Sequence, residues 1–105
     1  MQKRDDEILK LLHCMLQKEC KNYRYSYFFG SRVNGTAKPD SDYDVVILLN
    51  KMDRETKFDI YGLLSDIDYK FDVFIDSKIL TEDEFKINPF FYDEVTHKGV
   101  CYGDR

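Results

Sequence analysis

The sequence predicts one α/β domain built on a short sheet, and three observations carry that expectation. Apolar residues near the start recur at helical spacing. The aromatic run Tyr23 to Phe29 and the apolar run Val45 to Leu49 have the length and composition of strands. At 105 residues the chain can bury a single core but not two, so residues 1–105 read as one domain whose elements follow the order helix, strand, loop, strand, helix, strand, helix.

Each element has a local cause. Asp5 and Asp6 precede Ile8, Leu9, Leu11, Leu12, Met15 and Leu16, which fits an amphipathic helix of about four turns with acids in its first turn. Tyr23 to Phe29 ends at Gly30, a strand delivering the chain into a turn. Ser31 to Ser41, with Gly35 and Pro39, reads as a loop containing at most one helical turn. Val45 to Leu49, apolar throughout, suits a central strand covered on both faces. Asp53 can cap a helix running through Ser65, with Phe58, Ile60, Tyr61, Leu63 and Leu64 supplying its apolar side. Lys70 to Ile75 is expected to form the third strand. Thr81 and Glu84 have capping-box spacing, Asn88-Pro89 breaks the helix they start, and Phe90 to His97 adds a last turn or two before Gly99.

Composition limits the function. Sixteen Lys and Arg against 20 Asp and Glu give a net charge of −4, which argues against broad electrostatic binding to a duplex or an anionic membrane. Three cysteines without a Cys-x-x-Cys pair fit a reduced, cytoplasmic setting. His13 and Cys14 are helix neighbours that point in different directions, so they make a poor ligand pair, and His97 has no nearby His or Cys. No apolar run approaches the roughly 20 residues of a membrane span, and no signal segment opens the chain. The cluster Tyr23, Tyr25, Tyr27, Phe28 and Phe29 reads as core and sheet surface. Phe90, Phe91 and Tyr92 read as core closure or a partner-binding patch.

The chemistry concentrates at Gly30-Ser31 and Asp42-Tyr43-Asp44. Residues two apart on a strand face the same way, so Asp42 and Asp44 can share a divalent cation. Gly30 lets backbone amides approach a phosphate chain without a Cβ, and the Ser31 hydroxyl can donate to a phosphate oxygen. Arg32 and Lys38 are either solvated loop cations or groups that neutralise phosphate. Asp72, isolated in an apolar run, must be compensated. It either pairs with a buried Lys or Arg or, if its strand lies beside Val45 to Leu49, joins Asp42 and Asp44 around Mg²⁺. Two such cations about 4 Å apart would activate a hydroxyl and steady a leaving phosphate, with Asp72 taking the proton.

Residues 30 to 48, Gly-Ser-Arg-Val-Asn-Gly-Thr-Ala-Lys-Pro-Asp-Ser-Asp-Tyr-Asp-Val-Val-Ile-Leu, resemble the minimal nucleotidyltransferases of the polymerase-β-like superfamily. That pattern is Gly-Ser, a small-residue segment, Ser-Asp-x-Asp before an apolar strand, and a third acid on a later strand. The resemblance implies a small mixed sheet flanked by helices. It implies phosphate-binding roles for Gly30 and Ser31 and catalytic, metal-binding roles for Asp42, Asp44 and Asp72; Arg32, Lys38 and Ser41 stand beside them as further nucleotide-binding candidates. Val33 and Asn34 depart from it, standing where a small residue and then Arg are common. The implied activity is Mg²⁺-dependent transfer of a nucleoside monophosphate, AMP from ATP, to a hydroxyl. The implied acceptor is a tyrosine of a HEPN-type toxin encoded nearby, which would make this chain its antitoxin. A binding-only antitoxin, a small-molecule acceptor and a homo-oligomer are also compatible with the sequence.

Overall fold

Buried throughout from Val45 to Leu49, the second strand organises the domain, since both of its faces must be covered. A computed structural model describes residues 1–103. In chain order the elements are α1 (Lys3–Glu19), β1 (Tyr23–Phe29), α2 (Ser31–Asn34), β2 (Tyr43–Leu49), α3 (Arg54–Phe71), β3 (Ile75–Thr81), α4 (Glu82–Ile87), α5 (Pro89–Lys98) and β4 (Val100–Tyr102). They form a mixed four-stranded sheet in the order β3-β2-β1-β4. β1 runs antiparallel to β2 and β4, whereas β2 and β3 are parallel, a pairing that needs the crossover supplied by α3.

Alternation along β2 divides the core. Tyr43, Val45, Ile47 and Leu49 meet Ile8, Leu9, Leu12 and Leu16 of α1 and Ile60, Leu63, Leu64 and Ile67 of α3. Val46 and Leu48 face the opposite way, with Tyr25 and Tyr27, against Phe85 of α4 and Val95 of α5. Asp44 lies on this second face, and so does Asp76 of β3, its register partner. The aromatic run of β1 is core, as expected. The later aromatic group splits: Phe91 and Tyr92 pack against Phe85, whereas Phe90 is 87% exposed.

The predicted caps form. The Asp53 side chain accepts from the Thr56 N–H at 2.7 Å, and Thr81 with Glu84 makes a reciprocal capping box. The third strand differs from expectation. α3 does not stop at Ser65 but continues to Phe71, because Ile60, Leu63, Leu64, Ile67 and Phe71 keep a helical apolar period against the core. Asp72 is therefore not a strand residue. It is the C-cap of α3 in the left-handed region (φ 53°, ψ 52°), which short polar side chains tolerate, and its N–H bonds back to the Asp68 carbonyl. The strand begins three residues later, at Ile75, where the backbone N–H donates to the Asp68 carboxylate at 3.0 Å. β4 was not anticipated. No helix among the described residues is long and apolar enough to cross a membrane.

Candidate active site

β1 ends, and β2 and β3 begin, at the same end of the sheet, so the turn after β1 lies beside the first residues of two parallel strands. Phe29 pairs with Asp44, and Asp44 pairs with Asp76. Gly30 follows with φ 85° and ψ −158°, a conformation open essentially to glycine alone. A Cβ there would stand 2.2 Å from Asp44 Oδ2, so its absence lets this carboxylate lie directly against the turn. The Gly30 carbonyl then accepts from Val33 and Asn34, opening the short α2 that carries Ser31.

Tyr43 fixes the direction of the acid that follows it. Its ring points to the opposite face, is buried, and stacks on Phe28 at 5.7 Å between centroids. Its hydroxyl donates to Asp5 Oδ1 at 2.7 Å, and its backbone N–H donates to the Phe74 carbonyl at 2.9 Å. Asp44, the next residue along β2, is thereby turned toward the face that holds Asp76, and Asp42, just before the strand, is near enough for its charge to act on Asp44. Burial and the Asp5 carboxylate push the Tyr43 phenol up to about 12.

Arg32 has a different task from the one its sequence position suggested. Its guanidinium donates to the Ser41 carbonyl at 2.9 Å, the Pro39 carbonyl at 3.0 Å and Asp5 Oδ1 at 3.3 Å, and it lies 4.2 Å from the Tyr43 ring centroid. With its fork committed in this way, it braces the loop before β2 against α1 and is not a free phosphate clamp. Ser41 is also engaged, since its hydroxyl accepts from the Lys38 N–H at 2.9 Å and its own N–H donates to the Lys38 carbonyl. The Lys38 side chain is exposed on this turn.

The third acid is a correction. Asp72 caps a helix, while Asp76 occupies the register position beside Asp44. Sequence reasoning missed Asp76, although the alternation of Ile75, Ser77 and Ile79 with Asp76 and Lys78 is the pattern of a half-buried strand. Among the described residues, no three acid, His or Cys side chains are already drawn together as a metal cage. The donor set nonetheless fits a hard divalent cation: carboxylates on adjoining strands face one space, and one of them fills the room left by a missing Cβ. The histidines are engaged elsewhere, His13 with the Tyr23 hydroxyl at 2.6 Å and His97 with the Asp93 carbonyl at 2.7 Å.

The Asp44 carboxyl is held above its ordinary value, first by burial and then by the charges of Asp76 and Asp42, against which Lys78 acts. A carboxyl raised in the folded state favours folding below its unfolded value of about 3.9, and that advantage is lost as pH rises through the folded value. Asp44→Asn is accordingly expected to raise the melting temperature at neutral pH, with the gain shrinking as the buffer is taken into the carboxylate range. Parallel thermal melts of the two proteins from acid to neutral pH check this; a gain independent of pH would show that charge is not its source.

A glycine turn laid against a pair of acid-bearing strands is a frame for transferases that handle a metal-bound phosphate chain. The family model for polymerase beta nucleotidyltransferases matches residues 12–101, and the chain belongs to that family. Among solved structures, a Sulfolobus solfataricus protein provisionally assigned as a nucleotidyltransferase superposes with a TM-score of 0.64 and 22% identity, over 97% of this chain and 82% of that one. A toxin–antitoxin structure with AMP-PNP gives 0.62 and 20%, over 96% and 74%. A complex of an MNT antitoxin with a tri-AMPylated Shewanella oneidensis HEPN toxin gives 0.59 and 15%, over 95% and 73%. At these identities the likeness is one of fold. No curated protein sequence matches the chain significantly.

Proposed function

We propose that this nucleotidyltransferase moves AMP from ATP to a hydroxyl of a partner protein, with Asp42, Asp44 and Asp76 as its working acids. The observation that carries this reading is the parallel register of Asp44 with Asp76 beside the Cβ-free Gly30 turn. Asp42 and Asp44 are the residues that would hold Mg²⁺, and Asp76 completes the site in the place first given to Asp72. When bound, the cation supplies neutralisation of phosphate charge and lowers the pKa of a coordinated hydroxyl.

The chain's own groups then have defined tasks. Gly30 leaves room for the phosphates, Ser31 donates a hydrogen bond to a phosphate oxygen, and Lys38 lends charge from the exposed turn. Asp76 accepts the proton of the attacking hydroxyl. The hydroxyl oxygen bonds to the α-phosphorus, the bond from that phosphorus to the bridging oxygen breaks, and pyrophosphate leaves. The acceptor proposed is a tyrosine of a HEPN-like protein encoded nearby, with cytoplasmic ATP as donor. Its support is the fold shared with an MNT antitoxin whose HEPN partner is tri-AMPylated.

The test is incubation with α-labelled ATP, Mg²⁺ and the neighbouring gene product. Label is expected on that protein, with pyrophosphate released. Label appearing only on a small molecule would reassign the acceptor. ATP and Mg²⁺ binding with no transfer to any acceptor would leave an antitoxin that works by binding alone.

A further inference from the structure

We propose that Lys78 of β3 binds the phosphate chain of the nucleotide, filling the role for which Arg32 is unavailable; this rests on the nucleotidyl-transfer reading above. Strand alternation places Asp76, Lys78 and Leu80 on one face of β3. Leu80 packs against the α4/α5 side of the core, whereas Asp76 and Lys78 are exposed. The register sets Asp76 beside Asp44 and Lys78 beside Val46, so the ammonium originates one pleat from the acid pair, roughly 7 Å along the strand. Gly30 approaches Asp44 from the β1 side and Lys78 stands on the β3 side. A phosphate chain lying over Asp44 would therefore have the small turn on one flank and a cation on the other.

Two further facts favour a ligand role. Among the described residues Lys78 makes no ion pair within 4 Å, while Arg32, the conspicuous cation of the motif, is spent on Asp5 and two carbonyls. A lysine with its own acids beside it is also a counter-charge that an incoming anion can share. The competing explanation is edge protection. β3 ends the sheet, and an edge lysine deters strand addition by another chain. Any charge serves that purpose, but only a cation binds phosphate.

The experiment therefore compares wild type with Lys78→Arg, Lys78→Gln and Lys78→Glu in two equilibrium titrations, one with a non-hydrolysable ATP analogue plus Mg²⁺ and one with Mn²⁺ alone. A charge-assisted contact predicts roughly ten-fold weaker nucleotide binding for Lys78→Gln, a larger loss for Lys78→Glu, and retention in Lys78→Arg. Mn²⁺ alone should bind more tightly to Lys78→Gln, because a positive charge beside the acids has been removed. Unchanged nucleotide affinity in Lys78→Gln and Lys78→Glu overturns the proposal and leaves edge protection. Unchanged Mn²⁺ affinity overturns the placement of the ammonium beside the acids. A wild-type protein that binds no nucleotide overturns the transferase reading itself, and this one with it.

Discussion

Asp76→Ala should reduce nucleotidyl transfer by about a hundredfold to ten-thousandfold, the usual loss for an acid or base acting in the transition state, while Asp72→Ala stays close to wild type. The contrast follows from backbone positions. Asp76 is the register partner of Asp44 on the acid face, whereas Asp72 ends α3 in a left-handed cap. Replacing Asp72 removes only a side chain suited to that cap, so a modest fall in melting temperature is its expected effect. Asp42→Ala and Asp44→Ala should match Asp76→Ala in transfer while remaining folded. Single-turnover transfer with each variant, alongside far-ultraviolet circular dichroism, makes the comparison. Full transfer by Asp76→Ala would remove it from the site, and loss in folded Asp72→Ala would restore the original assignment.

Arg32→Ala is expected to be the most destabilising change in the motif. The side chains of Arg32 and Asp5 are only 10% and 3% exposed and lie 3.3 Å apart. Deleting the cation leaves Asp5 buried with the Tyr43 hydroxyl as its remaining hydrogen-bond donor and frees the Ser41 and Pro39 carbonyls. Breaking such a pair from one side costs about 3–5 kcal/mol. Arg32→Ala with Asp5→Asn should lose less than the two single losses combined, because the stranded charge is gone. Chemical denaturation of the three variants measures the coupling, and strict additivity would show that the two side chains do not act as a pair. A solvated Arg32 would instead produce a change within about 0.5 kcal/mol.

Features that rest on short-range interactions are readable in the residues, and those that rest on long-range ones depend on the fold. The turn at Gly30 and the strand that carries Asp44 were legible because a glycine after an aromatic run and an apolar run after an acid are local patterns. The caps at Asp53 and Thr81 were legible for the same reason. Asp76 was hidden because Phe71, Val73, Phe74 and Ile75 look like a strand, although the helical spacing from Ile60 runs on through Ile67 to Phe71. The true strand carries Asp76, Ser77 and Lys78 near its start, as an edge strand can, and so lacks an apolar run. Asp5 was read as an acid in the first turn of α1, and its burial under Tyr43 and Arg32 depends on contacts 38 and 27 residues away. A three-residue strand such as β4 leaves almost no pattern to read.

The parallel pairing of β2 with β3 also sets when the site comes into being. Asp44 is brought beside Gly30 by the β1–β2 pair, but Asp76 joins it only after α3 has crossed the sheet and β3 has docked. On the proposed assignment, a chain folded through β2 alone would have Asp42 and Asp44 but not the acid proposed to accept the proton. Transfer activity would then report completed tertiary structure, and anything that loosens the edge strand would silence the chemistry before the rest of the domain unfolds.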